Sequence, residues 1–157
     1  MSDYIMELRA LVGHRPLLQV GASVIVVDSI DRVLLQLRSD NHCWGYAGGS
    51  VEIDEVVEDA AKRELFEETG LTAEELELFG VFSGKDMHYI YPNEDEVSNV
   101  DIVFVCRRYK GELRCQKGEV EELRFFSVSE FPENISQPNK KALDKWIEQN
   151  APSASQL

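Results

Sequence analysis

Short runs rich in β-branched and aromatic residues predict five strands, at residues 18–27, 33–38, 76–82, 99–109 and 123–128. Side chains within 33–38 alternate between two faces, which puts Arg38 on the same face as Leu34 and Gln36. Only a short turn at residues 29–32 separates the first two runs. This spacing predicts that they pair as a hairpin.

Helical spacing of apolar side chains predicts helices at residues 4–11, 55–69 and 138–150. Gly70 follows the middle helix, and glycine favours the left-handed conformation that ends many helices. These elements favour an α/β fold with a mixed sheet between helices. Nothing in the composition marks a linker, so residues 1–150 are interpreted as one domain and residues 151–157 as a disordered tail.

Two connecting segments differ from ordinary turns. Residues 42–49 are predicted to form an irregular loop whose glycines allow the backbone to approach another group closely. Residues 83–97 form a long polar insert, which a compact domain keeps for function or as a flexible segment. We expect this insert to shape the pocket for the leaving group.

The helix predicted at residues 55–69 carries acids beside its apolar stripe. On a helical wheel the stripe consists of Val57, Ala61 and Leu65. Three glutamates fall at its edge, and the opposite side carries Glu58, Asp59, Lys62, Phe66 and Thr69. An amphipathic helix ordinarily keeps its acids away from the apolar stripe, so charge in this position requires compensation.

Repulsion among these three glutamates favours a bound cation. Glu64 lies three and four residues before Glu67 and Glu68, so their carboxylates are neighbours on the helix. Arg63, four residues before Glu67, supplies one positive charge and can orient that carboxylate. Mg²⁺ suits the remaining oxygens because it prefers hard ligands alongside substrate phosphates. The alternative is an ordinary solvated acidic helix.

The segment 49–71, GSVEIDEVVEDAAKRELFEETGL, has a characteristic spacing. Five residues separate Gly49 from Glu55, and seven more precede Arg63 and Glu64. The segment resembles the Nudix hydrolase signature at every defining position. The resemblance extends to LLQLR, WGYAGG and EVEELRFFSVSEF, and departs at Ala47, where many relatives have proline. It implies a MutT-like, single-domain protein with a Nudix-type α/β/α sandwich and a mixed β-sheet.

The resemblance also implies roles for individual residues. Glu67 and Glu68 would bind Mg²⁺ or Mn²⁺ together with the Gly48 carbonyl oxygen. Glu64 would be a further ligand or the general base, and Arg63 would hold a catalytic carboxylate in place. These residues are predicted to form the catalytic metal site.

A second candidate for the general base is Glu119 in KGEVEELRFF, because in this family the base also occurs in a loop distant from the helix. Glu121 and Glu122 compete with it for that role. All three are equally compatible with solvated loop acids. Glu55 is interpreted as a structural acid.

Candidate substrate contacts lie outside the signature. Arg38 precedes the glycine loop and is implied to grip a phosphate, with a surface ion pair as the alternative. Flat rings stack on nucleobases of any sequence, which makes candidates of Trp44, Tyr46, Phe82, Tyr89 and Tyr91. Core packing is the commoner role of any one aromatic side chain.

The implied activity is hydrolysis of a pyrophosphate bond in a nucleoside diphosphate linked to another moiety. Candidate substrates are a nucleoside triphosphate, an oxidised nucleotide, ADP-ribose, a sugar nucleotide or a dinucleoside polyphosphate. Two alternatives stay open: an RNA 5′ pyrophosphohydrolase and a nucleotide-binding sensor without turnover. An RNA groove would be basic, and sensors usually lose signature acids that this chain keeps.

The formal net charge of −13 disfavours duplex nucleic acid and anionic membranes as partners. A small nucleotide remains compatible because a metal can neutralise its phosphates. The three cysteines lack CxxC spacing, and no signal peptide or membrane segment is recognisable. We therefore predict a cytoplasmic protein, with a homodimer as the default assembly.

Overall fold

The computed structural model describes residues 3–151. Helices occupy Tyr4–Val12 (α1), Val57–Thr69 (α2) and Gln137–Asn150 (α3). The strands are Leu17–Val26 (β1), Val33–Arg38 (β2), Trp44–Gly45 (β3), Ala47–Ser50 (β4), Thr72–Ala73 (β5), Glu77–Phe82 (β6), His88–Ile90 (β7), Glu96–Cys106 (β8), Tyr109–Lys110 (β9) and Val120–Phe126 (β10). Every predicted helix and strand is present, and no end is shifted by more than three residues. Apart from Ala151, the tail predicted at 151–157 lies outside the described residues.

Strand β1 lies between β4 and β8 in a mixed sheet of order β4-β1-β8-β6. Strand β7 also pairs with β8. Strand β1 pairs in parallel with β8 and antiparallel with β4. The predicted hairpin between residues 18–27 and 33–38 is wrong. Strand β2 instead lies between β10 and β3 in a separate sheet, and Val33 at its start bridges to Val27, the residue that follows β1. Over Gly21–Val24 both edges of β1 are already bonded, to β4 and to β8, so β2 cannot pair along this stretch.

Two apolar clusters cover the two faces of the mixed sheet. Neighbouring β1 residues Val24 and Ile25 belong to different clusters, as the alternation of strand side chains requires. Helix α2 contributes Leu65 to one cluster, and helix α3 contributes Leu143 and Trp146 to the other. The α/β fold with its mixed sheet between helices is therefore confirmed.

Two details of α2 differ from prediction. The helix begins at Val57 because Glu55 lies in a preceding turn, where its carboxylate accepts the Glu52 N–H at 3.1 Å. Thr69, expected on the outward side, is 1% exposed. Its hydroxyl donates to the Leu65 carbonyl at 2.6 Å, so burial leaves no polar group without a partner.

The connecting segments are more regular than predicted. Residues 42–49 contain β3 and most of β4, so the description as an irregular loop is wrong for most of that segment. The insert at 83–97 contains a 3₁₀ turn, Lys85–Met87, and strand β7, which pairs with β8. Within residues 3–151, no helix is long and apolar enough to span a bilayer.

Candidate active site

Helix α2 is fixed against β1 and β4 by its apolar side chains. Ala61 and Leu65 are completely buried, and Gly70 ends the helix in the predicted left-handed conformation, with φ of 81°. Glu68 follows Leu65 by three residues and is therefore carried to the edge of the same cluster, where it is only 9% exposed. The wheel prediction is confirmed for this residue: a carboxylate lies where an apolar side chain would be expected.

Two glycines of β4 let side chains from neighbouring elements approach the backbone. A Cβ at Gly49 would lie 2.5 Å from the carboxyl carbon of Glu64, and one at Gly48 would lie 2.1 Å from the Ser23 Oγ. Both distances are far below van der Waals contact, so a side chain at either position would displace its neighbour. The glycines of β4 thus allow Glu64 and Ser23 to approach the backbone closely, as the sequence predicted.

Glu68 is held through one carboxylate oxygen. Its Oε2 accepts the Gly48 N–H at 2.9 Å and the Gln36 Nε2–H at 3.1 Å. Burial raises the pKa of Glu68 to about 8, and the neighbouring Glu64 carboxylate acts in the same direction. Both donors reach the same oxygen, which leaves Oε1 for another ligand.

Arg63 contacts three carboxylates, and Glu67, the partner predicted from the sequence, is the most distant of them. Its Nε and Nη2 donate to the two oxygens of Glu55 at 2.8 and 2.9 Å, and its Nη1 donates to Glu64 Oε1 at 2.8 Å. The Glu67 carboxylate lies farther away, at 3.6 Å from Nη1. Arg63 therefore orients Glu64 and is itself clamped by Glu55, whose pKa it lowers.

The metal ligands predicted from the sequence fit a hard cation in kind, since carboxylate and carbonyl oxygens are what Mg²⁺ and Mn²⁺ bind. Glu64 and Glu68 are largely buried on the side of α2 facing β4, whereas the Glu67 side chain is 39% exposed. Among residues 3–151, no three His, Cys, Asp or Glu side chains lie close enough together to hold an ion as they stand. Ligation by all three glutamates requires rotation of side chains.

Two cavities adjoin the glycine strand. The inner cavity has a volume of about 90 Å³ and includes Tyr46, Tyr89, Asn99, Asp101 and Asn139 in its wall. The outer cavity has a volume of about 470 Å³ and includes Asp3, Asp40, Ser50, Asp95 and Glu119. Gln19, Arg38 and Tyr91 line both, so the two cavities meet at these side chains.

Asp101 lies in the wall of the inner cavity and escaped the sequence analysis. Ser23 Oγ donates to one of its oxygens at 2.7 Å and the Tyr46 hydroxyl to the other at 2.8 Å. Burial raises the pKa of Asp101 above its usual range. The sequence feature that could have identified it is an aspartate within the apolar run VDIVFV, because an acid in a buried strand needs hydrogen-bond partners.

The predicted aromatic contacts separate into two groups. Trp44, Tyr46 and Phe82 belong to the core, and Trp44 packs edge-on against Phe126 with centroids 5.0 Å apart. The structure therefore supports the core role of Trp44 and not base stacking. Tyr89 and Tyr91 form an edge-to-face pair 4.9 Å apart in the wall of the inner cavity, which Tyr46 also lines.

Arg38 and Glu119 both reach the outer cavity. Arg38 donates to both oxygens of Asp40, at 2.9 and 2.8 Å, so the ion pair considered as its alternative is present. This pairing raises the pKa of the guanidinium, which is charged at any ordinary pH. Glu119 is exposed, and Glu121 and Glu122 pair with His42 and Arg124. The structure thus brings Arg38 and Glu119 to one cavity, while Glu64 and Glu68 face β4.

Comparison with known families matches the NUDIX domain over residues 17–146. The chain belongs to the Nudix family. One relative, the ADP-ribose pyrophosphatase of Methanocaldococcus jannaschii, is 32% identical over 83% of this chain and 76% of that protein. The oxidized purine nucleoside triphosphate hydrolase of Danio rerio is 31% identical over 70% of this chain and 67% of that protein.

A solved Nudix structure has the same fold. The MutT NUDIX hydrolase from Burkholderia pseudomallei is 29% identical, covers 83% of this chain and 97% of its own, and superposes with a TM-score of 0.68. The family and the enzyme class predicted from the signature, a MutT-like Nudix pyrophosphohydrolase, are thereby confirmed.

Proposed function

We propose that this Nudix protein uses Mg²⁺ or Mn²⁺ to cleave the pyrophosphate bond of a nucleoside diphosphate linked to another moiety. The observation that carries the proposal is the position of Glu64 and Glu68 against the glycines of β4, beside two cavities that meet at Arg38. A linked diphosphate at this junction would have one end in each cavity.

The residues of α2 and β4 are proposed to have different roles at the reacting bond. Glu67, Glu68 and the Gly48 carbonyl oxygen are proposed to bind the metal, with Glu64 as a further ligand or as the base. The bound metal would neutralise phosphate charge and lower the pKa of a water molecule. Arg63 holds Glu64 in place, which limits the reorganisation needed during reaction.

Glu64 is our preferred general base. Burial raises its pKa, against the opposing effect of Arg63, and a base works best when its pKa approaches the working pH. Glu119 is the competing candidate but is exposed on the wall of the outer cavity. Glu119→Gln is expected to keep most of the turnover, whereas Glu64→Gln is expected to lose it.

The inner cavity is proposed to hold the nucleoside. Tyr89 and Tyr91 offer ring surfaces, and Asn99 and Asn139 offer amide groups that can donate to or accept from a base. Neither Tyr89 nor Tyr91 belongs to the two apolar clusters, so both rings are available to a ligand.

The outer cavity is proposed to hold the second moiety. Its wall carries Asp3, Asp40, Asp95 and Glu119 against the guanidinium groups of Arg9 and Arg38, an excess of negative charge. A neutral, hydroxyl-rich group such as a sugar fits this wall better than further phosphates do. The ADP-ribose pyrophosphatase relative supports this preference, and the triphosphate hydrolase relative represents the competing substrate.

The test is a substrate panel with purified protein in Mg²⁺ and in Mn²⁺. It should include ADP-ribose, sugar nucleotides, nucleoside triphosphates, a dinucleoside polyphosphate and a 5′-triphosphate RNA. We expect kcat/KM to be highest for a nucleotide linked to a sugar, and Glu68→Gln to lower it by more than about a hundredfold.

Each contrary outcome is informative. Tight binding without turnover would favour the sensor alternative, and preference for RNA would favour the 5′ pyrophosphohydrolase. Preference for triphosphates would refute the proposed role of the outer cavity but leave pyrophosphate hydrolysis intact. Turnover undiminished in Glu68→Gln would refute the metal assignment.

A further inference from the structure

Gln36 is a buried polar residue whose side chain the proposed reaction does not use. It lies in the middle of β2, paired with Gly45 on one side and Leu123 on the other, and is 3% exposed. Strand alternation directs it to the same face as Leu34, whose side chain packs in the cluster under α2. Gln36 thus brings an amide from the three-stranded sheet to Glu68 on the helix.

The amide acts on one particular oxygen of Glu68. Gln36 Nε2 and the Gly48 N–H both donate to Oε2, at 3.1 and 2.9 Å. Two donors on one oxygen fix the rotation of the carboxylate about its last bond. The other oxygen, Oε1, is then the one presented to a ligand.

The orientation of the Gln36 amide follows from the acceptor that it meets, the Glu68 oxygen that also accepts the Gly48 N–H. If the amide were reversed, its oxygen would face the carboxylate oxygen, and two acceptors would repel each other. The observed orientation leaves Gln36 Oε1 buried without a hydrogen-bond donor among the described residues. An unpaired buried acceptor destabilises a fold, so the hydrogen bond from Gln36 to Glu68 is made at a cost in stability.

We propose that Gln36 is a positioning residue that sets the rotation of Glu68 so that Oε1 is presented to the divalent metal. The inference rests on the proposed function, because it requires Glu68 to be a metal ligand. Partners that orient a ligand in this way commonly change metal affinity by about 10- to 100-fold when they are removed.

The test compares Gln36→Met with Leu34→Met. Methionine matches glutamine in length but donates no hydrogen bond, and Leu34→Met is a volume-conserving control on the same face of the same strand. Mn²⁺ affinity is measured without substrate, by the loss of the free Mn²⁺ spectrum in electron paramagnetic resonance. Thermal unfolding is followed in EDTA, and kcat and KM are measured at saturating metal.

We expect Gln36→Met to bind Mn²⁺ about 10- to 100-fold more weakly than the wild type, with an unfolding midpoint equal to or above it. At saturating metal, kcat should fall while the substrate KM stays within about twofold. Gln36→Asn, which withdraws the amide by one methylene, should lose metal affinity in the same way. Leu34→Met should retain wild-type affinity.

Two results would overturn the inference. Mn²⁺ affinity within twofold of the wild type in both Gln36 variants would mean that the amide does not position the ligand. Loss of folding in both variants would mean that the amide serves the fold. Failure of the wild type itself to bind Mn²⁺ would instead contradict the proposed metal site, and so the two failures are distinguishable.

Discussion

Gly49 limits where the carboxylate of Glu64 can lie. A Cβ at this position would stand 2.5 Å from the Glu64 carboxyl carbon, yet the group it would meet is the end of a flexible side chain. The backbone of Gly49 is not in the left-handed region, so alanine would not strain the strand itself. A single methyl group would therefore move the carboxylate and leave β4 in place.

Gly49→Ala is expected to lower kcat by about a hundredfold, because a displacement of about 1 Å at a catalytic group has an effect of that size. The thermal unfolding midpoint should stay close to that of the wild type. Steady-state kinetics and thermal unfolding check the two halves of this prediction. A variant with full activity would show that Glu64 does not need its present position.

At the scale of elements, the turn between β7 and β8 is held by a helix far away in sequence. The buried Arg9 guanidinium on α1 donates to the carbonyls of Gly13 and Glu96. Its Nε lies 3.8 Å from the carboxylate of Asp95, which closes the turn. The insert is therefore an anchored hairpin, and its tyrosines face the inner cavity from a fixed backbone.

Replacing Tyr89 and Tyr91 together by alanine is expected to change substrate preference more than the chemistry. Removing a stacking surface should raise KM about tenfold for substrates with a preferred base. Michaelis constants across the substrate panel provide the measurement, with Tyr4→Ala, an exposed tyrosine on α1, as the control. An unchanged profile would exclude these rings from the pocket.

The sequence predicted elements better than it predicted their pairing. The alternation in β2 correctly assigned the faces of Leu34 and Gln36, since that pattern is local. The hairpin prediction failed because pairing depends on which strands already occupy β1, a non-local fact. Likewise, Asp101 on β8 and Tyr46, which directly precedes β4, meet only because β8 and β4 pair with the two edges of β1.

At the scale of the whole molecule, the buried acids make stability depend on pH. The pKa of Glu68 rises from its usual 4.5 to about 8, and the pKa values of Glu64 and Asp101 are also raised, mainly by burial. An acid whose pKa is higher in the folded state than in the unfolded state favours folding while it is protonated. Its contribution is complete below about pH 4.5 and is lost as pH rises through about 8.

We expect the metal-free protein to lose stability between pH 5 and pH 8. In this window Glu68 is protonated in the folded state and ionised in the unfolded state, so the loss is on the order of 1 kcal/mol per pH unit. Glu68→Gln should flatten this dependence, because it removes the charge from the buried site. Urea unfolding in EDTA at several pH values measures both. The same slope in Glu68→Gln would assign the effect to other groups.

The long pairing of β1 with β8 also has a consequence for the order of assembly. Its partners run from Leu17 with Val97 to Val26 with Cys106, so it cannot be complete until residues up to Cys106 have been synthesised. Contacts so distant in sequence form slowly. Residues 17–73 already contain β1, the glycine strand and the acidic helix. The residues proposed to bind the metal can thus collapse first, and the hairpin that carries Tyr89 and Tyr91 is added to the cavity wall afterwards.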